Sequence, residues 1–449
     1  MLPIATSGGF DCCPEIANGA AIAVTAALNS RLLFRIMKLP FLRQHISMDR
    51  RSFLLSPALA LAAAPLGPKR PRVAAIVTEY RYYSHADVIC GRIFDGYSPN
   101  GKRVAPRTDI VSLYPIQIPN NDMARELTSR HGIPLAKSVE EAITLGTGRI
   151  AVDAVLFVGE HGNYPTNEVG QKLYPRFEYF EEILAVYRKY GRVLPTFSDK
   201  HLSYSWPKAK KMYDDAKALG VPWMAGTSVT LTPREPDLTL PAGCELDRTC
   251  VAGYGDHDAY GFHLLEIHQC MVERRKGGET GVKAVQMIEG NDVWKWRDGA
   301  GSWSKPLLQE AIARMPEKKS GALEEIVKSP ILFLVEYADG LQGCVYMLNG
   351  FTQHWSFATK PRGASAPLSC FFNMGYQKRS LPHFDGLVNA IENLFVTGKP
   401  GYPVERTLLS TGTLAHLFDS KRAGGQRIET PELAKIGYQP PVSDGHQTA

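Results

Sequence analysis

From Pro71 onward, short apolar runs alternate with amphipathic stretches. Residues 73–77 are Val, Ala and Ile and read as a strand; a polar turn follows, then helical spacing over 84–95. The alternation repeats. Strands are predicted at 110–113, 152–158, 193–197 and 221–225, and helices at 122–131, 139–145, 177–190 and 206–219. The 152–158 run is continuously apolar, as expected of a parallel strand buried on both faces. Strands interleaved with helices predict an α/β fold, here a Rossmann-like doubly wound parallel sheet ending near Gly226. Beyond it, strand candidates follow one another at 282–289, 331–337, 342–348, 354–359 and 368–372, with Asp339-Gly340 as a hairpin turn. They predict an open, mostly antiparallel sheet in a second α/β domain, with a helix over 258–274 on one face. Two further helices are expected at 384–395 and 406–420, and the tail after Pro440 is expected to lack order.

The pattern gives five segments: an upstream extension over 1–47, a leader over 48–66, a first domain over 70–226, a second over 227–432 and a tail over 433–449. The leader reads Ser-Met-Asp-Arg-Arg-Ser-Phe-Leu-Leu from Ser47, with Arg50 and Arg51 preceding an apolar run to Ala64 and then Pro65. The thirteen residues from Ser52 to Ala64 fall short of the ~20 that span a bilayer and suit the core of a signal peptide. Paired arginines before such a run predict twin-arginine export to the periplasm, with Met48 as the start. Removing the first 64 residues, which hold six basic and three acidic side chains, leaves 45 basic against 42 acidic. That balance gives no electrostatic footprint for nucleic acid, and no membrane association is expected after export. Six of the eight cysteines follow the leader and none forms a C-x-x-C pair. Cys244 and Cys250 could close a loop in an oxidising compartment; buried small apolar side chains are the simpler reading.

Three stretches together resemble the Gfo/Idh/MocA family of glucose–fructose oxidoreductases and inositol dehydrogenases. They are 122–142 (DMARELTSRHGIPLAKSVEEA), 193–226 (VLPTFSDKHLSYSWPKAKKMYDDAKALGVPWMAG) and 384–432, which ends DSKRAGGQRIETPE. The likeness runs over about residues 72–430. It implies a Rossmann domain followed by an α/β substrate domain whose open sheet is often a dimer face. It also implies NAD or NADP as cofactor, a sugar, polyol or derivative as substrate, and a homo-oligomer.

In such a fold, ligands sit beyond the carboxyl ends of the strands. Lys200 stands in Asp199-Lys200-His201 where the family has Glu-Lys-Pro; the resemblance gives it the substrate hydroxyl. His263, in Gly261-Phe262-His263, matches the family's general acid/base, and imidazole suits that role because its pKa lies near neutrality. Asp258 is the nearby acid, five positions ahead rather than four, and so poorly placed to share the helix face. Gly159-Glu160-His161-Gly162 follows the most buried strand and would present Glu160 and His161 from a tight turn. The bland alternatives are a surface lysine, a core histidine and an exposed loop. Lys200 and His263 are expected to share one cleft, and substituting either is expected to cost little stability.

The dinucleotide site would take Thr78, Glu79, Tyr80, Ser84, His85, Gly159, Glu160 and Asp199. Yet the three glycines of G-x-G-x-x-G fall on Val77, Glu79 and Tyr82. A carboxylate 4 Å from a phosphate costs about 4 kcal/mol at an effective dielectric near 20, and Tyr82 would add a steric block. The second strand ends Tyr114-Pro115, with no acid for a ribose hydroxyl. Weak or no NAD(P) binding is expected. No metal is assigned, because no histidine pair has ligand spacing. A redox-neutral hydrolase or lyase, with or without a metal, and a sugar-binding non-enzyme are the alternatives.

Overall fold

The computed structural model describes residues 69–375, 381–443 and 445–448. The upstream extension and the leader with Arg50 and Arg51 lie outside the described residues. Residues from Arg70 onward form one compact unit holding two sheets. The first sheet has strands β1 (Arg72–Val77), β2 (Asp109–Pro115), β3 (Ala154–Val158), β4 (Thr196–Asp199) and β5 (Trp223–Gly226). All are parallel, in the order β2-β1-β3-β4-β5, so the chain reverses direction across the sheet beside β1. Helices α1 (His85–Asp95), α2 (Ala124–His131), α3 (Val139–Thr144), α4 (Arg176–Tyr190) and α5 (Trp206–Leu219) connect them. β3 is buried at every position, as its unbroken apolar run requires.

The second sheet has eight strands: β6 (Arg234–Glu235), β7 (Arg248–Gly253), β8 (Val282–Glu289), β9 (Ile331–Tyr337), β10 (Gln342–Met347), β11 (Trp355–Thr359), β12 (Leu368–Phe372) and β13 (Ile428–Glu429). Their order is β13-β8-β9-β10-β7-β11-β12-β6, antiparallel except where β10 pairs with β7. β9 and β10 form the hairpin around Asp339-Gly340. β7 has no counterpart in the sequence reading, although it lies in the middle of the sheet. Its six residues, RTCVAG, hold a single β-branched apolar side chain.

Helix α6 (Ala259–Val272) packs on one face of this sheet. Helices α7 (Asp292–Asp298), α8 (Ser304–Arg314) and α9 (Leu323–Ile326) belong to one connection between β8 and β9; α8 covers the other face. Trp294, Leu307, Leu308 and Ala311 bury Cys250, Ala252, Cys344 and Tyr346 there. The sheet is open at its edges, with α6 on one face and α8 over β7, β11 and β12 on the other. Helices α10 (His383–Thr397) and α11 (Glu405–Arg422) complete the chain, α11 packing against α5, α6 and β8.

One expectation is corrected. The tail is held: Gln447 is buried, its amide donates to the Leu231 carbonyl (2.9 Å) and its Oε1 accepts from the Asn100 amide (3.1 Å). Six cysteines from Cys90 to Cys370 are free thiols; Cys250 is buried in the sheet core, so the Cys244–Cys250 bridge does not form.

Candidate functional site

The segments that follow β1, β3 and β4 each carry a non-glycine residue in left-handed backbone: Tyr83 (φ +60°), just before α1, His161 (φ +70°) and Lys200 (φ +69°). An L side chain there costs on the order of 1–2 kcal/mol, and such strain gathers at functional sites because the surrounding structure must enforce it. At Lys200 the enforcement is visible. Its amide donates to the Gly226 carbonyl at the end of β5 (2.8 Å). Gly226 itself has φ +131°, and a Cβ there would meet Thr407 Oγ1 at 2.9 Å and Glu266 Oε2 at 3.0 Å. Only glycine fits.

Lys200 is fully buried. Its Nζ stands 2.6 Å from His263 Nε2 and 3.6 Å from Glu160 Oε1. His263, on the first turns of α6, places Nδ1 2.7 Å from Thr227 Oγ1, just past β5. An ammonium can only donate, so Nε2 accepts; the ring proton is then on Nδ1 and is donated to Thr227. Burial, reinforced by the Lys200 charge, holds His263 well below the ordinary imidazole range. It is therefore a neutral base at pH 7.

Glu160 bridges the cluster. Arg176, at the start of α4 and buried, donates Nη2 to Glu160 Oε2, Nε to the Gly159 carbonyl (2.8 Å) and Nη1 to His201 Nε2 (2.9 Å). Burial pushes the Glu160 carboxyl up, but Lys200 and Arg176 outweigh it and hold it at about 2. His85 Nδ1 and Asp199 Oδ2 are 2.6 Å apart, both buried. Burial opposes charge on each. It drives His85 down, aided by Lys200, and Asp199 up to about 7 against the pull of Lys200. Adjacent residues at the end of β4 thus each hold a histidine: Asp199 holds His85 from α1, and Lys200 holds His263 from α6.

His161 lies beside this pair, its ring 5.2 Å from that of His85 and its Nδ1 3.3 Å from Arg81 Nη2. Asp258 stands apart. Its Oδ2 accepts the Lys172 amide (2.8 Å), anchoring the inserted 163–176 segment, and it makes no hydrogen bond or ion pair with His263. Thr227 is the partner of His263. Sequence reasoning missed Thr227 and Arg176: the first has no local motif, and the second lies at the edge of what reads as an insertion. Among the described residues, no group of three or more His, Cys, Asp or Glu could hold a metal ion, and no helix is long and apolar enough to cross a membrane.

Around the residues assigned to a dinucleotide the chain makes hydrogen bonds of its own. After β1 the chain bends at Thr78 and bonds to the segment following β2. Ile116, Gln117 and Met123 amides donate to the carbonyls of Val77, Thr78 and Tyr80, each at 2.8 Å. The pairing of β1 with β2 is thereby carried a few residues past the ends of both strands. Thr78 Oγ1 donates to the Glu160 carbonyl (2.5 Å), and Tyr80 is buried. The start of α1 is satisfied internally: Ser84 Oγ accepts the Asp87 amide (3.2 Å) and Asp87 Oδ2 accepts the Tyr83 amide (3.0 Å). Two expected causes of the block are corrected. Glu79 is paired with Arg81 Nε at 2.7 Å, which offsets its charge, and Tyr82 points outward, 63% exposed.

No protein-family model and no curated protein matches the sequence. Solved structures do match. GenD2 from gentamicin A biosynthesis, in complex with NAD, is 13% identical with a TM-score of 0.53, over 81% of this chain and 97% of that one. A myo-inositol dehydrogenase from Corynebacterium glutamicum is 10% identical with a TM-score of 0.50, over 80% of this chain and 99% of that one. With its parallel switch-point sheet and its larger mixed sheet, the chain has the two-domain fold of the Gfo/Idh/MocA-type oxidoreductases.

Proposed function

We propose that this chain is an exported enzyme that moves protons at a hydroxyl-bearing carbon of a sugar, polyol or derivative. Lys200 and His263 are its acid–base pair. The observation that carries the reading is their contact at 2.6 Å, made between the end of the first sheet and the helix that lines the second. The fold shared with GenD2 and a myo-inositol dehydrogenase supports an oxidoreductase-type origin. The Lys200 ammonium, which donates to His263 Nε2, faces the substrate hydroxyl and its developing oxyanion; the proton passes through Lys200 to His263 Nε2, while Thr227 fixes the ring from Nδ1. Glu160 and Arg176 hold Lys200 in place.

A second reading, a hydrolase or lyase using the same groups, is favoured by the loss of all three loop glycines, at Val77, Glu79 and Tyr82. Mass spectrometry of small molecules released from the purified protein should identify a carbohydrate, which is then offered as substrate. Lys200→Ala and His263→Ala should each lower its turnover by roughly 10²–10⁴. Turnover retained in both variants would sink the proposal, and binding without turnover by the unaltered chain would make it a sugar-binding protein.

A further inference from the structure

We infer that the groove between α1 and residues 445–448 is a binding site for a short neutral oligosaccharide, separate from the Lys200–His263 pair. The cavity there measures about 720 Å³, within the roughly 300–1,000 Å³ of small-molecule sites. Its floor is one face of α1, where Asp87, Val88, Gly91 and Asp95 share the spacing of a single helix side. Gly91 leaves the floor open, since a Cβ there would meet nothing within 4 Å. Pro382 and Asp385, where α10 begins, make one wall. Gln447 and Thr448 make another and are pinned in place. The Asn100 amide donates to Gln447 Oε1 (3.1 Å), the Thr448 amide donates to Asn100 Oδ1 (3.0 Å), and Gln447 Nε2 donates to the Pro382 carbonyl (3.3 Å).

The lining selects the ligand by its chemistry. Asp87 has only Oδ2 taken, by the Tyr83 amide (3.0 Å), and Asp95 makes no ion pair among the described residues. Arg103 donates to the Asp95 carbonyl and likewise pairs with no carboxylate among the described residues. Arg92 is already engaged by Asp385 (2.6 Å). Carboxylate acceptors and a guanidinium donor therefore line one cavity. A hydroxyl both donates and accepts, so a polyhydroxylated ligand satisfies both kinds of group. A polyanion would meet two carboxylates, and a polycation would bring like charge against Arg103. Tyr82 adds apolar surface. It lines the groove while 63% exposed, its ring edge-on to that of Tyr83 at 4.4 Å. Such a ring offers a flat apolar face to the C–H side of a sugar and a hydroxyl at its tip. Tyr83 holds left-handed backbone (φ +60°), the kind of strain that gathers at functional sites. Phe384, between the wall residues Pro382 and Asp385, packs edge-on against the His85 ring at 5.2 Å. The groove thus adjoins the buried cluster without using its groups.

The full chain is screened against an array of immobilised neutral and charged glycans, and the best neutral oligosaccharide is then titrated in solution by calorimetry. Saturable binding of a neutral oligosaccharide is the expected result. Tyr82→Ala and Asp95→Ala should each weaken it by roughly tenfold or more, the loss of one good contact. Both side chains are exposed, so both variants should keep the parent's melting temperature. Binding of charged glycans alone, or of none, overturns the inference. So does a neutral oligosaccharide whose affinity is unchanged in either variant, because it would then sit elsewhere. None of these outcomes bears on Lys200 and His263, whose test is turnover.

Discussion

At the scale of single residues, Lys200 is both a functional candidate and part of the buried framework. Its side chain is fully buried between His263 and Glu160. The expectation that its loss costs little stability is therefore corrected: Lys200→Ala strips a buried carboxylate of one partner, which typically costs about 3–5 kcal/mol. Denaturant unfolding of that variant should show the loss, and a variant as stable as the parent would contradict the burial. Glu160 gives a second test. Its folded pKa of about 2 lies below its unfolded value, so its contribution is present above the unfolded pKa and fades as pH falls through the folded one. The shift amounts to something on the order of 3 kcal/mol. Glu160→Gln should thus be much less stable than the parent at pH 7, and the gap should narrow below about pH 4. A gap independent of pH would show that the carboxylate charge is not what matters. Lys200 and His263 were legible as residue types in motif context. Arg176 and Thr227 were not, because their importance comes only from what they touch.

At the scale of elements, the helices are the best-read parts of the chain. Ser84, Gly132, Gly191 and Gly220 mark helix ends in the sequence, and α1, α2, α4 and α5 begin or stop at them. β7 was missed because a strand shielded on both faces by neighbours needs little intrinsic preference of its own. The α7–α9 connection was likewise unassigned, although α8 closes one face of the second sheet. Leu308, 2% exposed, sits in that layer. Leu308→Ala should cost roughly 2–5 kcal/mol, as other buried leucine truncations do, read from the shift in the urea midpoint at constant slope. A cost below about 0.5 kcal/mol, the usual range of a surface change, would mean that the layer is not packed as described.

For the whole molecule, the many buried titratable groups set a pH dependence. His85, His201, His263, His268 and His383 are all held below the usual imidazole range, in each case chiefly by burial. A histidine with a depressed folded pKa lends stability above its unfolded pKa, and that stability is lost as pH falls. Asp199, Asp258 and Glu266, pushed up to about 7 by burial, act in the opposite sense between pH 4 and 7. The histidines outnumber the carboxyls, so melting temperature should fall from pH 7 to pH 5, by up to roughly 2.7 kcal/mol per pH unit in free energy for a net two protons. A rise over that interval in a thermal-shift series would refute this balance. Export belongs to this scale too. Replacing Arg50 and Arg51 with Lys should retain the chain in the cytoplasm, and unchanged periplasmic delivery on fractionation would rule out the twin-arginine route.

Apolar runs of period two and helical repeats of period 3.6 are local properties, so the sequence alone determined the alternation of strands and helices, the doubly wound first sheet and the largely antiparallel second. It also marked Lys200 and His263, and the loss of the loop glycines. Which partner each buried charge takes is not local. The pairing of Asp199 with His85, the bridge from Arg176 through Glu160 to Lys200, and the parting of Asp258 from His263 join positions up to 114 residues apart. The same holds for the bonds that carry the β1–β2 pairing past the strand ends. Their donors are backbone amides, which every non-proline residue carries, so no side-chain pattern could announce them. Tertiary structure decided that, because only the packed chain brings residues 116–123 alongside residues 77–80.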